Sequence, residues 1–131
     1  MATSVQDLLD IANAAVPRIA PAEARTLLAK GNVLLLDVRD AAELLKTGRI
    51  AGARHVSRGM LEFRADPASP YHDKDFDPKR TVIVYCSDGW RSALSGKTLK
   101  DLGYTQVFNL GGFKDWIDAG GEIERPIEPG M

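Results

Sequence analysis

The sequence predicts an α/β fold in which parallel strands are joined by crossover helices. Three observations carry that prediction. Val33-Leu34-Leu35-Leu36 and Thr81-Val82-Ile83-Val84-Tyr85 are unbroken apolar runs, as expected of strands covered on both faces of a sheet. Segments with helical spacing alternate with such runs, and the chain has no internal repeat or low-complexity tract. Its 131 residues, 44% hydrophobic and 27% charged, suit one soluble domain rather than two cores, a disordered chain or a membrane span.

Val5, Leu8, Leu9, Ala12 and Val16 fall near helical spacing and predict an amphipathic helix that ends before Pro17. Residues 1–16 are read as a helical extension that docks on the domain or on a partner, 17–126 as the domain, and 127–131 as a tail. Pro17-Arg18-Ile19 suits a short strand. Pro21 at a first helical position, Ala24, Leu27 and Leu28 on one face, and Gly31 as a stop define a second helix. After the 33–36 strand, Asp40 and Glu43 form a capping-box pattern for a helix through Leu44 and Leu45 that Gly48 ends. Ala53 to Val56 is a short strand, and 58–80, with three prolines, is helical first and loop-like later. The charged run from Asp73 to Arg80 reads as solvated surface. The β-branched strand ending at Tyr85 is followed by a helix through Leu94, Leu99 and Leu102, stopped by Gly103. A strand at Val107-Phe108 precedes Gly111-Gly112, and a last helix buries Phe113, Trp116 and Ile117.

Bulk composition excludes several functions. A formal charge of −1 leaves no basic excess for a phosphate backbone, so nucleic acid is not an expected partner. One cysteine cannot form an internal disulfide, and two distant histidines do not make a structural zinc site, so neither a metal nor another cofactor is expected. The N-terminus has no basic region and its apolar positions are interrupted by Asp7, Asp10 and Asn13, which argues against a secretory signal and for a reducing cytoplasm.

Chemistry concentrates at Cys86, at the carboxyl end of the clearest strand, where open α/β sheets place ligands. Cys86-Ser87-Asp88-Gly89-Trp90-Arg91-Ser92 joins that strand to a helix, so backbone N–H groups can curl around the sulfur as an anion cradle. Gly89 gives the tight ring its backbone freedom, and the positive helix end favours a thiolate or persulfide anion.

The order Cys, four residues, Arg, with Gly at the fourth position, resembles the active-site loop of the rhodanese family. Leu36-Asp37-Val38-Arg39 with Glu43, followed by Gly48-Arg49-Ile50-Ala51-Gly52-Ala53, looks like that family's first signature. Gly111-Gly112-Phe113-Lys114-Asp115-Trp116 looks like its last, and the likeness spans roughly residues 19–121. A bare Cys-x4-Arg is weak, whereas a strand-borne loop with both flanking signatures in order is specific.

The resemblance implies a three-layer fold with a central, mainly parallel five-stranded sheet flanked by helices. It also implies a sulfurtransferase that moves sulfane sulfur from a donor, thiosulfate or another, through a persulfide on Cys86. The partners would be a small sulfur donor and an acceptor, either cyanide, a thiol or a protein; the amphipathic first helix admits a homodimer. Cys86 is the expected nucleophile; Ser87, Asp88, Gly89, Trp90, Arg91 and Ser92 would hold the persulfide, with Arg91 contributing charge. Asp37, Arg39 and Glu43 would support the site, through a contact from Arg39 to a carboxylate.

Three positions depart from the family pattern. Asp88 is acidic where loops that favour thiosulfate often carry basic side chains, so it should discourage an anionic donor. Arg49 stands where histidine is common and Leu44 where an aromatic is common. Trp90 suits either a hydrophobic lip over the site or packing against neighbouring helices.

Blander readings stand beside these. Cys86 could be a buried structural thiol, Asp37 a loop-pinning carboxylate, and Arg39 with Glu43 a structural pair. His55 and His72 have no identifiable catalytic partner. Cysteine phosphatases and arsenate reductases also cradle an anion over a thiolate, but their loops resemble Cys-x5-Arg, one residue longer. Rhodanese-like binding modules that do no chemistry usually lack the cysteine, which is present here.

Overall fold

Ser4 starts the first helix with a reciprocal cap: its hydroxyl accepts the Asp7 N–H at 3.0 Å, and the Asp7 carboxylate accepts the Ser4 N–H at 3.1 Å. The computed structural model describes residues 2–125, with α1 at Val5–Ala15 followed by α2 at Pro21–Lys30. β1 (Val33–Asp37), α3 (Ala41–Thr47), β2 (Arg49–Ile50) and β3 (Arg54–His55) come next, and a single 3₁₀ turn at Arg58–Met60 leads into α4 (Leu61–Ala65). β4 (Thr81–Cys86), α5 (Trp90–Asp101), β5 (Val107–Gly112), α6 (Phe113–Asp118) and β6 (Ile123–Glu124) complete the described chain. The tail expected at 127–131 lies outside the described residues. Among the described residues no helix is long and apolar enough to cross a membrane.

The main sheet has the order β3-β1-β4-β5 with every pairing parallel. Strand periodicity explains why β1 and β4 read as unbroken apolar runs. Leu34, Leu36, Val82 and Val84 point to one face, where Leu61, Ala65, Leu99 and Val16 cover them. Leu35 and Ile83 point to the other, against Ala24, Leu110, Phe113 and Trp116. Helices on both faces give the three layers, and the parallel ladder brings Asp37, Cys86 and Gly112 to one end of the sheet.

Several expectations need correction. The fifth strand at 17–19 is reduced to one parallel bridge, Arg18 to Asn109. Its bonds are Asn109 N–H to Pro17 O at 2.9 Å and Ile19 N–H to Asn109 O at 3.0 Å; Pro17 has no N–H to extend the ladder, and Pro21 already opens α2. β5 continues through Asn109 and both glycines. An irregularity opposite Val84 and Tyr85 shifts its register, so that Asn109 faces Val84 and Gly111 faces Tyr85. Ile117 is 44% exposed, unlike its buried neighbours Phe113 and Trp116. On α1, Leu9 and Ala12 are buried with Ala93 of α5, whereas Val5 and Leu8 remain exposed. The charged run is not wholly solvated: Phe76 within it is buried, and Asp73 pairs with Arg54. An antiparallel β2–β6 pair, unforeseen from two-residue strands, ties residues 123–124 back to the end of α3.

Candidate active site

Cys86 is the last residue of β4, directly opposite Gly112 of β5. The chain then turns through Gly89, whose φ of 99° lies in the left-handed region that glycine occupies without steric cost. This turn aims the Gly89 N–H at the Cys86 sulfur, N to Sγ 3.1 Å, while the Ser92 N–H approaches from the first turn of α5 at 3.4 Å. The sulfur thus faces two backbone donors at the positive end of a twelve-residue helix. Trp90 does not join them, because its N–H donates to Asp88 Oδ1 at 3.2 Å. The loop therefore presents fewer donors to sulfur than a full ring from Ser87 to Ser92 would. Asp88 Oδ1 itself lies 3.8 Å from Sγ, placing a carboxylate beside the atom that would carry negative charge.

Cys86 has no solvent-exposed surface, as a structural thiol would. Its surroundings are nonetheless polar on the loop side. Ser92 Oγ is 3.4 Å from Sγ and donates to Asn109 Oδ1 at 2.7 Å. Asn109 also accepts the Gly111 N–H at 2.8 Å and donates from Nδ2 to Gly89 O at 3.1 Å. One buried amide therefore holds both ends of the cradle. Sequence reading missed Asn109; the available signal was an amide inside an apolar strand, which must find partners when buried.

Arg39 and Glu43 do not pair with each other. Arg39 is buried and grips Asp37, Nη2 to Oδ2 2.8 Å and Nε to Oδ1 3.1 Å, while Nη2 also donates to Gly48 O at 2.7 Å. Its guanidinium lies 4.4 Å from the Phe113 ring centroid. Burial pulls Arg39 toward neutrality, but the hydrogen bonds and charge of Asp37 more than offset this and hold its pKa above the ordinary value. Glu43 instead receives Arg91 in a two-pronged contact at 2.8 and 2.9 Å, and Ser87 Oγ donates to the same carboxylate at 2.9 Å. The Arg91 bonds hold the Glu43 carboxyl down at about 2. Glu43 also accepts the Asp40 N–H at 2.8 Å, so one residue both caps α3 and anchors the cysteine loop. The physical reason for the exchange of partners is register: Asp37 lies two residues from Arg39 at a strand end, whereas Glu43 is turned toward the loop by the first turn of α3.

Trp90 is 62% exposed, which removes packing between helices as its role. His55 Nε2 lies 2.6 Å from Arg39 O and His72 Nε2 lies 3.1 Å from Phe76 O, both satisfied by backbone. Arg18 was also missed: its guanidinium lies against Gly111, where an added Cβ would fall 2.1 Å from Nη2, and reaches Gly89, where an added Cβ would fall 3.0 Å from Nη1. The N-terminal edge segment therefore braces the cradle from outside.

A family model described as "Rhodanese-like domain" matches residues 20–119. The thiosulfate sulfurtransferase GlpE of Actinobacillus succinogenes is 35% identical over 112 residues, 84% of this chain and 92% of that protein. The uncharacterized protein YqhL of Bacillus subtilis is 34% identical over 91 residues, 69% of this chain but 63% of its own, so this chain spans less than two thirds of that relative. Among solved structures, RPA3614 of Rhodopseudomonas palustris, described as a protein of unknown function and possible tyrosine phosphatase, superposes with a TM-score of 0.88 at 38% identity, covering 95% of this chain and 96% of that one. The polysulfide-sulfur transferase homodimer of Wolinella succinogenes gives a TM-score of 0.72 at 31% identity, covering 94% and 88%.

Proposed function

The chain belongs to the rhodanese-like family, and on that premise we propose that it is a sulfurtransferase carrying sulfane sulfur as a persulfide on Cys86. The carrying observation is the pair of N–H groups, from Gly89 and Ser92, directed at the Cys86 sulfur at the end of β4. An inert core thiol has no need of such donors; a sulfur that becomes anionic does. The sulfurtransferase names of relatives at this level of identity support the same reading.

In the first half-reaction the Cys86 thiolate attacks the sulfane sulfur of the donor. The donor's sulfur–sulfur bond breaks and its remainder leaves with the bonding pair, while the transferred sulfur stays on Cys86. The Gly89 and Ser92 N–H groups hold the resulting negative charge. A thiol, cyanide or a protein acceptor then attacks the outer sulfur and regenerates the thiolate. Arg91, fixed by Glu43, positions the loop rather than approaching the donor; Asp37 and Arg39 pin the neighbouring strand end. Trp90 forms an exposed lip that contacts the donor. Four residues between Cys86 and Arg91 make a ring sized for sulfur rather than for a tetrahedral phosphate, which weighs against a phosphatase. By likeness to the Wolinella succinogenes protein, two copies assemble as a homodimer; a monomer mass at micromolar concentration would overturn that part.

Intact-mass spectrometry after exposure to sulfane donors tests the function. The expected result is a gain of about 32 Da on the wild type, reversed by cyanide or a thiol and absent from Cys86→Ser. No adduct with any of several donors would instead favour a binding module. Hydrolysis of a phenyl phosphate without persulfide formation would favour the phosphatase.

A further inference from the structure

We propose that Arg18 is a positioning residue for the anionic sulfur: acting through Gly89, it keeps positive charge against the back of the turn whose N–H meets Cys86. This rests on the sulfurtransferase reading, to which it adds a residue from outside the cysteine loop.

The backbone places Arg18 before its side chain makes any contact. Pro17 O accepts the Asn109 N–H at 2.9 Å and the Ile19 N–H donates to Asn109 O at 3.0 Å, so Arg18 sits opposite Asn109 in a parallel bridge. Asn109 is also the residue whose amide holds Gly89 O and the Gly111 N–H. The Arg18 side chain runs to the same two glycines. A Cβ on Gly111 would fall 2.5 Å from Arg18 Cζ and 2.6 Å from Nε, and one on Gly89 would fall 3.3 Å from Cζ. The guanidinium thus fills the space that a side chain at either position would need.

This contact brings the charge close to the sulfur. Arg18 Nη1 lies 3.0 Å from the Cβ position of Gly89, and Gly89 N lies 3.1 Å from Sγ. Backbone geometry separates those two points of Gly89 by about 2.5 Å, so Nη1 stands no more than about 9 Å from the sulfur. That is about one Debye length at physiological salt.

The other charges around Cys86 are differently placed. Arg91 of α5 is paired with Glu43 of α3, and Arg39 with Asp37 at the end of β1, both at 2.8 Å. Arg58 of the 3₁₀ turn is paired with Glu62 at 2.9 Å. Lys46, Lys114 and Arg125 border Ser87 rather than Gly89 or Ser92, the two donors to the sulfur. Asp88 is negative and 3.8 Å from Sγ. Among the described residues Arg18 reaches one carboxylate, Asp115 of α6, at 3.8 Å; both side chains are more than half exposed, a pair worth little in water. Arg18 therefore packs on a donor to the sulfur without being held in a close ion pair. A thiolate or persulfide on Cys86 gains from that charge, and the neutral thiol does not.

The test is a pH titration of ultraviolet thiolate absorbance in the full chain, with Cys86→Ser as the blank; Cys86 is the only cysteine, so the signal has one source. Arg18→Gln keeps a planar polar end and removes the charge. Its thiolate-to-thiol ratio at pH 7 should be about threefold below wild type, with the difference shrinking at high salt. Arg18→Lys keeps the charge and should stay near wild type. Melting temperatures should change little, because the side chain is more than half exposed. An unchanged ratio in Arg18→Gln, with or without a lower melting temperature, overturns the proposal and leaves Arg18 as a brace alone. A ratio in Arg18→Lys as low as in Arg18→Gln overturns it as well. No sulfur donor enters the titration, so it decides the role of Arg18 even if every donor fails to load Cys86, a failure that overturns the sulfurtransferase reading instead.

Discussion

The Ser92 hydroxyl donates its hydrogen to Asn109 Oδ1 at 2.7 Å, so the same oxygen, 3.4 Å from the Cys86 sulfur, turns only lone pairs toward it. A hydroxyl has one hydrogen to give. When the thiol is protonated this suits it, because the thiol can donate to Ser92. When the sulfur is anionic, the hydroxyl can rotate to it without stranding Asn109 Oδ1, which still receives the Gly111 N–H at 2.8 Å. Ser92→Ala removes this switchable donor and keeps the backbone N–H. The expected outcome is a roughly tenfold slower persulfide loading at neutral pH, read by intact mass, with little change in melting temperature.

Asn109 serves the loop through its other atoms as well. Replacing it by Leu leaves the Gly111 N–H unpaired in a buried position, at a cost of about 1–3 kcal/mol, whereas Gly89 O loses one of two donors and keeps the Ala93 N–H at 3.1 Å. Asn109→Asp retains the acceptor for Ser92 and Gly111 but loses the donor to Gly89 O. Denaturant midpoints should fall for both variants, more for Leu. Loading of Cys86 should fall by more than stability predicts if the amide holds the cradle, and wild-type loading in Asn109→Leu would contradict that role.

The contrast between Cys86 and Asn109 marks what the sequence made legible. Cys86, Gly89 and Arg91 lie in one local turn, and chain order alone places them at a strand end and a helix start. The burial of β1 and β4 on both faces likewise follows from residue type. Asn109 and Arg18 act on that loop from β5 and from the edge segment, and their contacts depend on the register shift opposite Val84 and Tyr85. No local pattern encodes such a shift. The expected contact from Arg39 to a carboxylate forms, but sequence proximity left its partner open between Asp37 and Glu43: the direction of each side chain chose Asp37 for Arg39 and Arg91 for Glu43.

The Glu43–Arg91 pair should make the loop acid-sensitive. A carboxyl with a folded pKa below its unfolded value adds stability above the unfolded value, and that contribution drains away as pH falls through the folded one. For Glu43 the window runs from about 4.5 down to about 2. Both side chains are about one-third exposed, so solvent screening cuts the contribution to about 1 kcal/mol. Glu43→Gln should lower stability by that amount at pH 7, and urea midpoints of variant and wild type should converge as pH drops below 4.5. A constant difference from pH 7 to pH 3 would mean that the pair contributes through packing alone.

Asp88 offers a test of charge separated from geometry. Its Oδ1 accepts the Trp90 N–H at the start of α5, and the same atom sits 3.8 Å from the sulfur. Asp88→Asn keeps an oxygen able to accept that N–H and removes the negative charge. A unit charge a few ångströms away, partly screened at the surface, is worth about 1 kcal/mol or slightly more. Thiosulfate kcat/KM should therefore rise about threefold to tenfold in Asp88→Asn, with the gain shrinking at high salt. Asp88→Ala should show a smaller gain, since it relieves the same repulsion but frees the Trp90 N–H and loosens the turn. If neither variant improves turnover of an anionic donor, the carboxylate acts on the loop only as a cap and does not discriminate between donors by charge.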